Sequence, residues 1–596
     1  MQDERKKVRD YSLVGKEARA AVEKGLADAE WYQTPVPREK MRKLLVRRDG
    51  PAIRDTLLWF GLIFGSGYLV YFWWGSWLAI FPYVIYSALY ASTSDARWHE
   101  AGHGTAFKTD WMNNALYEIA SFMVFRQSTV WRWSHARHHS DTIIRGRDPE
   151  ISVQRPPKIS KIIAGFFGVR SSISEMRKIL LHARGKIDPE VATYVPESEY
   201  KKVIWKARIF ISILLAVITA SVIFQSILPL MYIGLSTLFG SWLMRIYGYT
   251  QHAGLQENVL DHRFNSRTVY MNRIHRFLYL DMNYHIEHHM FPLVPYYSLP
   301  KLHALVKDDC PPPNISIVDA YREIIPAILK QSKDPSYFID RKLPPGAGKL
   351  EDIRRQETGQ REMNISDGKI EVCDVEELQP GEVIRFDFEQ KTYAVYRTKA
   401  NNFYATDGIC THGNAHLSDG VIIGEMIECA KHNGRFSLTD GSPQRIPVCV
   451  GIKTYHAEVA DNKVWLDLDE IRNNEGELPE KKFRVKSNKN LGTFINELEL
   501  EPLDGGLDYQ PGQYVQMSIP PHSIRFSEFR IDGKFRPVWE KQNLFDSWAK
   551  NEVYSKRNYS LATNPAKDIT LRFNIRIALS PEKGSISAGT GSSYVY

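Results

Sequence analysis

Cysteine is scarce: the chain has five in 596 residues. Small secreted scaffolds held by disulfides carry many more, in paired sets, so that class is excluded. No apolar stretch precedes residue 55 and the N-terminus is charged, so no cleavable signal peptide is read there. Charge is absent from two long runs. Residues 56–94 and 209–244 contain no Asp, Glu, Lys or Arg, and each run is close to twice a minimal spanning helix of about 17–20 residues. Turns are expected near Gly75-Ser76 and near Gln225-Ser226, which makes two helical hairpins and four transmembrane helices. The formal net charge of +8 is concentrated in a basic N-terminal segment, residues 1–54, and in flanks such as Lys201, Lys202, Lys206, Arg208 and Arg245. Basic flanks suit an anionic inner leaflet and lie on the cytoplasmic side. They require no nucleic-acid partner.

Histidine is present in an unusual arrangement. Eight of the 18 histidines form three clusters: His99 and His103; His135, His138 and His139; His285, His288 and His289. Neutral imidazole is the commonest metal ligand, and eight exceed the three or four that one zinc takes. Two metal ions sharing eight or nine nitrogens is the simplest account. The i, i+3 and i+4 spacings are helical, so each box is expected to aim its rings at one point. An even number of crossings separates the boxes, which places all three on the cytoplasmic face. His99-Glu100-Ala101-Gly102-His103 also fits HExxH, the zinc-protease pattern, but an intramembrane protease leaves the other two boxes unused.

The set HxxxH, HxxHH, HxxHH around two hairpins resembles the integral-membrane fatty acid desaturase and hydroxylase superfamily, over residues 55–310. The resemblance implies a diiron centre held by the eight histidines. It also implies a ninth ligand after the fourth crossing, for which His252 is preferred over His262 and His275. His182 and His303 are read as solvated surface. The wording around boxes one and two is similar to a bacterial subgroup that includes the rhizopine-catabolism oxygenase component, thought to act with a separate Rieske ferredoxin and reductase. Iron rather than zinc is inferred, since imidazole suits both and the following domains handle electrons. The histidines serve as ligands, so no further catalytic residue is expected.

A polar stretch, residues 311–365, is expected as a linker. Beyond it, alternating strands surround Cys410-Thr411-His412 and Cys429-Ala430-Lys431-His432. This CxH…CxxH pattern, over 366–470, resembles a Rieske [2Fe–2S] domain, in which two Cys hold one iron and two His the other. The extra cysteines of high-potential Rieske proteins are replaced here by Ala415 and Lys431, and a cluster-bonding Ser by Asn433. Fewer hydrogen bonds to the cluster imply a low-potential donor. A ring-hydroxylating oxygenase fails on ligand count, because only His456 and His522 follow His432.

Residues 480–596 resemble the front half of a ferredoxin-reductase-type flavoprotein, a β-barrel that binds FAD. The resemblance rests on Arg557-Asn558-Tyr559-Ser560, with Pro511-Gly512-Gln513-Tyr514 upstream and Gly591-Ser592-Ser593-Tyr594 downstream. It implies FAD contacts from Arg557, Tyr559, Ser560, Ser592 and Ser593. The insertion from Arg525 to Trp548 resembles the flavin subunit of the sodium-translocating quinone reductase. The nucleotide-binding half, with its Gly-rich turn, does not follow before Tyr596, so NAD(P)H oxidation is expected to need a missing domain or a partner reductase.

The expected protein is therefore multidomain: a helical membrane diiron domain, an all-β Rieske domain and a truncated FAD barrel. It is an O₂-dependent membrane oxidoreductase of the inner membrane of a bacterium, with its cofactor domains cytoplasmic. The substrate is a fatty acyl chain or lipid, or alternatively a small methylated compound such as a rhizopine. A membrane-anchored electron carrier whose histidines only store metal is the non-enzymatic alternative.

Overall fold

Two short breaks organise the helical part. Gly75 (φ +89°) and Gln225 (φ +46°) adopt left-handed backbone where each uncharged run was expected to turn. In the computed structural model, which describes residues 9–348, 364–467, 481–503, 514–551, 555–560, 562–563, 570–577 and 590–596 apart from positions 28, 30, 167, 367, 389 and 390, each break separates an outgoing helix from a returning limb. The outgoing segments, Arg38–Phe72 and Glu197–Ile223, are long and apolar enough to cross a membrane. Their surfaces expose Leu57, Phe64, Tyr68, Phe72, Leu215 and Val222, a density of apolar side chains that a water-facing helix avoids.

The returning limbs are less regular. Ile80–Ser87 passes through a π-helical turn, Ala88–Ser92, into Thr93–His103. The other limb passes through a distorted turn, Met231–Leu235, then Ser236–Gly240 and Trp242–His252. Both limbs end on histidines of interest, and π-turns are frequent at functional sites. The limbs touch closely: Ser92 Oγ donates to the Gly240 carbonyl and accepts from Met244 N at 2.7 Å. A Cβ on Gly240 would lie 1.8 Å from the Ser87 carbonyl oxygen. Gly240→Ala is expected to force the limbs apart and cost about 1–3 kcal/mol, the usual range for overpacking, read as a lowered thermal midpoint of the detergent-solubilised protein.

The stretch expected as a linker begins with a packed helix, Ile317–Lys333, whose Ala320, Ile324 and Ile328 join a core with Tyr249 and Val269. Its apolar face is one-sided and Pro326 interrupts the pattern, which disguised it in the sequence.

The all-β part, Ile365–Asp467, consists of antiparallel sheets. One joins Ile365–Ser366, Lys369–Asp374, Lys463–Asp467 and Ala457–Ala460; another joins Thr454–Tyr455, Phe403–Asp407, Lys391–Arg397 and Glu382–Phe388. A third, Val421–Ile423, Met426–Glu428, Arg435–Ser437 and Pro443–Arg445, carries the second cysteine loop between its middle strands. The helical and β parts form one compact unit, Met1–Ile471.

The second unit, Arg472–Tyr596, contains a sheet of Phe483–Gly492, Ile495–Pro502 and Leu571–Arg576, and two strand pairs. In one pair, Ser555–Ser560 lies against Tyr514–Ile519, with Arg557 opposite Met517 and Tyr559 opposite Val515. The insertion builds its own core: Trp539 is fully buried with Phe526 and Ala549, and its Nε1 donates to the Thr493 carbonyl at 2.6 Å. Ser592 and Ser593 lie on the helix Thr590–Val595. Pro511, Gly512 and Gln513 fall outside the described residues.

Candidate metal centre

The nine histidines singled out in the sequence converge in two groups. His99, His103, His135, His139 and His288 form one, and His138, His252, His285 and His289 form the other; within each, the ligand nitrogens lie within 4.8 Å of one another. His252 is thus the ninth member. His262 instead stacks on Trp31 at 4.3 Å, and His275 Nδ1 lies 2.6 Å from the Tyr247 hydroxyl.

The boxes do not each serve one point, as expected from their spacing. In box two, on the helix Ser128–Ser140, His135 and His139 face the five-membered group while His138 faces the other. In box three, on His285–Met290, His285 and His289 face the four-membered group and His288 the other. The reason is helical geometry. Residues four apart share a face, whereas adjacent residues are about 100° apart. The i, i+4 pairs converge and the remaining histidine diverts.

Imidazoles packed in this way need something between them. Nε2 atoms approach at 3.1 Å for His103 and His135, 3.0 Å for His285 and His252, and 3.2 Å for His288 and His139. Both nitrogens of His99 are buried without a hydrogen-bond partner. A buried polar group left unpaired is costly, and a shared cation resolves the crowding. The donor set is nitrogen throughout, and the residues fit two metal ions.

The opposite edges of the rings are held by groups the sequence reading missed. His138 Nδ1 lies 2.9 Å from Asp148, and His135 Nδ1 lies 3.2 Å from Glu150. His252 Nδ1 donates to the Asn265 carbonyl at 2.8 Å, and His289 Nδ1 lies 3.3 Å from the Thr142 hydroxyl. Such contacts choose the tautomer and orient each ring. Asp148 also accepts from the Ile143 and Glu150 amides, at 2.8 Å each. It thereby closes a turn in which Ile143, a β-branched residue, is held at φ +56°, a costly conformation for that side chain. Asp148-Pro149-Glu150, a turn bearing two carboxylates shortly after box two, was the available signal. Asp148→Asn is expected to weaken iron retention about 10–100-fold, measured as iron per chain after graded chelation.

Two other expectations are corrected. His182 and His303 are buried rather than solvated: His182 Nδ1 lies 2.6 Å from Gln127 Oε1, and His303 pairs with Glu287 behind box three. Glu100, the water-activating residue of the protease reading, accepts from the Thr105 hydroxyl at 2.7 Å and from the Tyr296 amide at 3.1 Å. These contacts occupy one of its oxygens with structural duties.

The second candidate centre is built from two matching loops. In each, an amide returns to the cysteine carbonyl from an asparagine in left-handed conformation: Asn414 to Cys410 and Asn433 to Cys429, both at 3.1 Å. Cys410 and Cys429 are buried and unpaired by disulfide. His412 Nδ1 and His432 Nδ1 face each other at 3.0 Å. Two thiols and two facing imidazoles fit a Rieske cluster.

The two centres are adjacent. Glu428, fully buried just before Cys429, meets Arg47 from the residues just before the first long helix, Arg435 at 2.7 Å and Arg445 at 3.6 Å. Arg435 continues to Asp110 at 2.6 Å. Burial alone would push the Glu428 carboxyl up, but the guanidiniums outweigh it and hold it down at about 2. Arg445 also donates to the His103 carbonyl at 3.2 Å, where box one ends at Gly104. Gly104 has φ +70°, which favours glycine, and a Cβ there would have to displace the Arg445 guanidinium, 2.2 Å away.

Comparison with known proteins agrees with this architecture. Residues 75–321 match the fatty acid desaturase family, and residues 368–456 match the Rieske [2Fe-2S] domain. This chain carries a fatty acid desaturase domain joined to a Rieske domain. The ferredoxin component of the naphthalene 1,2-dioxygenase system of Pseudomonas putida is 38% identical over 99 residues, covering 17% of this chain and 94% of that protein. A ferredoxin structure from Sphingomonas yanoikuyae B1 is 35% identical, with 17% and 97% of the two chains covered and a TM-score of 0.16. One component of the Na(+)-translocating NADH-quinone reductase of Pseudomonas aeruginosa is 37% identical over 127 residues, which is 20% of this desaturase–Rieske chain. The chain spans about a third (31%) of that component's length.

Proposed function

We propose that this protein is a membrane-bound diiron oxidoreductase that uses O₂ and electrons relayed through FAD and a Rieske cluster to desaturate or hydroxylate a C–H substrate, a fatty acyl chain or lipid. The observation that carries the reading is the pair of buried all-imidazole groups beside a Rieske-type loop pair. Two irons bound there would supply an oxidant strong enough to take hydrogen from an unactivated C–H bond. The chain's own residues do the rest. The nine histidines would hold the two ions, and Asp148 and Glu150 hold His138 and His135 in position.

The hairpins are read as four crossings, with the long outgoing helices and their exposed apolar surfaces as support. The basic flanks put boxes, Rieske domain and flavin domain on the cytoplasmic side. FAD is assigned to Arg557, Tyr559, Ser560, Ser592 and Ser593; Ser593 Oγ, buried without a partner, suits an acceptor-rich ligand. Electrons are expected to come from NAD(P)H by way of a reductase.

One observation favours a second reading, oxidation of a small methylated compound such as a rhizopine. A cavity of about 1280 Å³ lies between the N-terminal segment and the Rieske domain, and His139 and His289 are in its wall. Hydroxylation of a methoxy carbon there would collapse to demethylation. Lipid extracts from cells making the wild-type protein or His99→Ala, compared by mass spectrometry with and without O₂, separate the readings. An O₂-dependent lipid product confined to wild type supports the first. Identical lipids with loss of a methylated solute support the second, and neither change would sink both.

A further inference from the structure

Consecutive residues of the second Rieske loop reach consecutive boxes of the same histidine group. His432 directs Nδ1 toward His412, as two imidazoles sharing one iron would, and leaves Nε2 pointing outward. That Nε2 lies 2.6 Å from Ser140 Oγ. Ser140 is the residue after His139 and ends the box-two helix. Next in the loop, Asn433 Oδ1 lies 3.4 Å from His103 Nδ1 in box one.

The proton inventory is consistent at every atom. An imidazole bound through Nδ1 keeps its hydrogen on Nε2, so His432 donates and Ser140 Oγ accepts. The serine's own hydrogen has a separate acceptor, the Ala136 carbonyl at 3.3 Å. An imidazole bound through Nε2 keeps its hydrogen on Nδ1, so His103 donates to Asn433 Oδ1. The asparagine's amide hydrogens have Glu428 at 3.3 Å. His432, Ser140 and His103 are each asked to donate once. The seat itself is clamped by the Glu428–Arg47 and Arg435–Asp110 pairs, and Trp31 Nε1 donates to the Ser140 carbonyl at 2.9 Å. The Asn433–His103 contact is the longer of the two at 3.4 Å, and on the other loop Trp133 and His412 have ring centroids 6.0 Å apart.

We propose that Ser140 is the positioning residue through which the Rieske domain delivers electrons, and that delivery is to the five-histidine group rather than the four-histidine group. This rests on the diiron reading above. The path is one hydrogen bond, His432 Nε2–H to Ser140 Oγ, followed by the covalent chain from Ser140 to His139. Each transfer would move one electron: a cluster held by Cys410, Cys429, His412 and His432 would lose one, iron held by the five histidines would gain one, and no bond would form or break. Two transfers supply a pair, drawn from a reduced flavin or, in the test, from dithionite.

The test uses the full chain loaded with iron and cluster, reduced anaerobically with dithionite and mixed with O₂. Reoxidation of the Rieske cluster is followed by its visible absorbance, and microwave power saturation of the reduced cluster's EPR signal reports the distance to the neighbouring irons. Ser140→Ala is expected to slow reoxidation several-fold with power saturation unchanged, and Ser140→Thr, which keeps the hydroxyl, to restore the rate. Wild-type speed in Ser140→Ala overturns the proposal. So does slowing accompanied by altered saturation, because the serine would then merely hold the domains together. If wild type reoxidises no faster than His99→Ala, the diiron reading has failed, and the route fails with it.

Discussion

His138→Ala lowers bound iron from about four to about three per chain, abolishes O₂-dependent product, and leaves the Rieske EPR signal at full intensity. His138 is the only box-two member of the four-histidine group, and it is held by Asp148 at 2.9 Å. Removing it leaves three imidazoles around one ion and a buried Asp148 without its partner. Cys410, His412, Cys429 and His432 belong to other loops and touch none of these atoms in the contacts described above. Iron analysis, a product assay under O₂ and EPR on one preparation check all three parts. Loss of the Rieske signal together with the other iron would mean that the two centres do not assemble independently.

Glu428→Ala is expected to destabilise the Met1–Ile471 unit by about 3–5 kcal/mol, the range for deleting one partner of a buried ion pair. The carboxylate is fully buried against Arg47, Arg435 and Arg445, so its removal strands positive charge in a poorly hydrated interface. Arg435 retains Asp110; Arg47 and Arg445 lose the ion pair that joins them to this site. Urea unfolding in detergent, followed by Rieske absorbance and by tryptophan fluorescence, measures the loss. An effect below about 1 kcal/mol, the scale of an exposed pair, would show that this interface is hydrated and the clamp is not what seats the domain.

Much of the site was legible because its signals are local. A box of histidines at helical spacing, a CxH with a CxxH, and an uncharged run broken at Gly75 or Gln225 each occupy a few adjacent residues. His252 was legible through the family resemblance, and the structure separates it from His262 and His275. What stayed hidden depends on contacts between distant residues. Arg47 and Glu428 are far apart in the chain, and neither looks different from any other charged residue in a one-dimensional reading. Ser140 and His432 are hidden for the same reason. His182 and His303 were misplaced because a lone histidine carries no mark of burial; Gln127 and Glu287, which satisfy them, lie elsewhere. The helix Ile317–Lys333 was missed because its polar face and Pro326 resemble a connector until Tyr249 and Val269 supply the other side of the core.

The division of boxes two and three between both histidine groups has a mechanical consequence. His138 and His139 ride on one helix, as do His288 and His289. Any rotation that tightens one group therefore loosens its neighbour. Two ions held there would need no bridging side chain to keep them apart, because the pitch of two short helices would space them, as the teeth of a gear set the spacing of its shaft. Inserting a single residue within either helix would misalign both groups together.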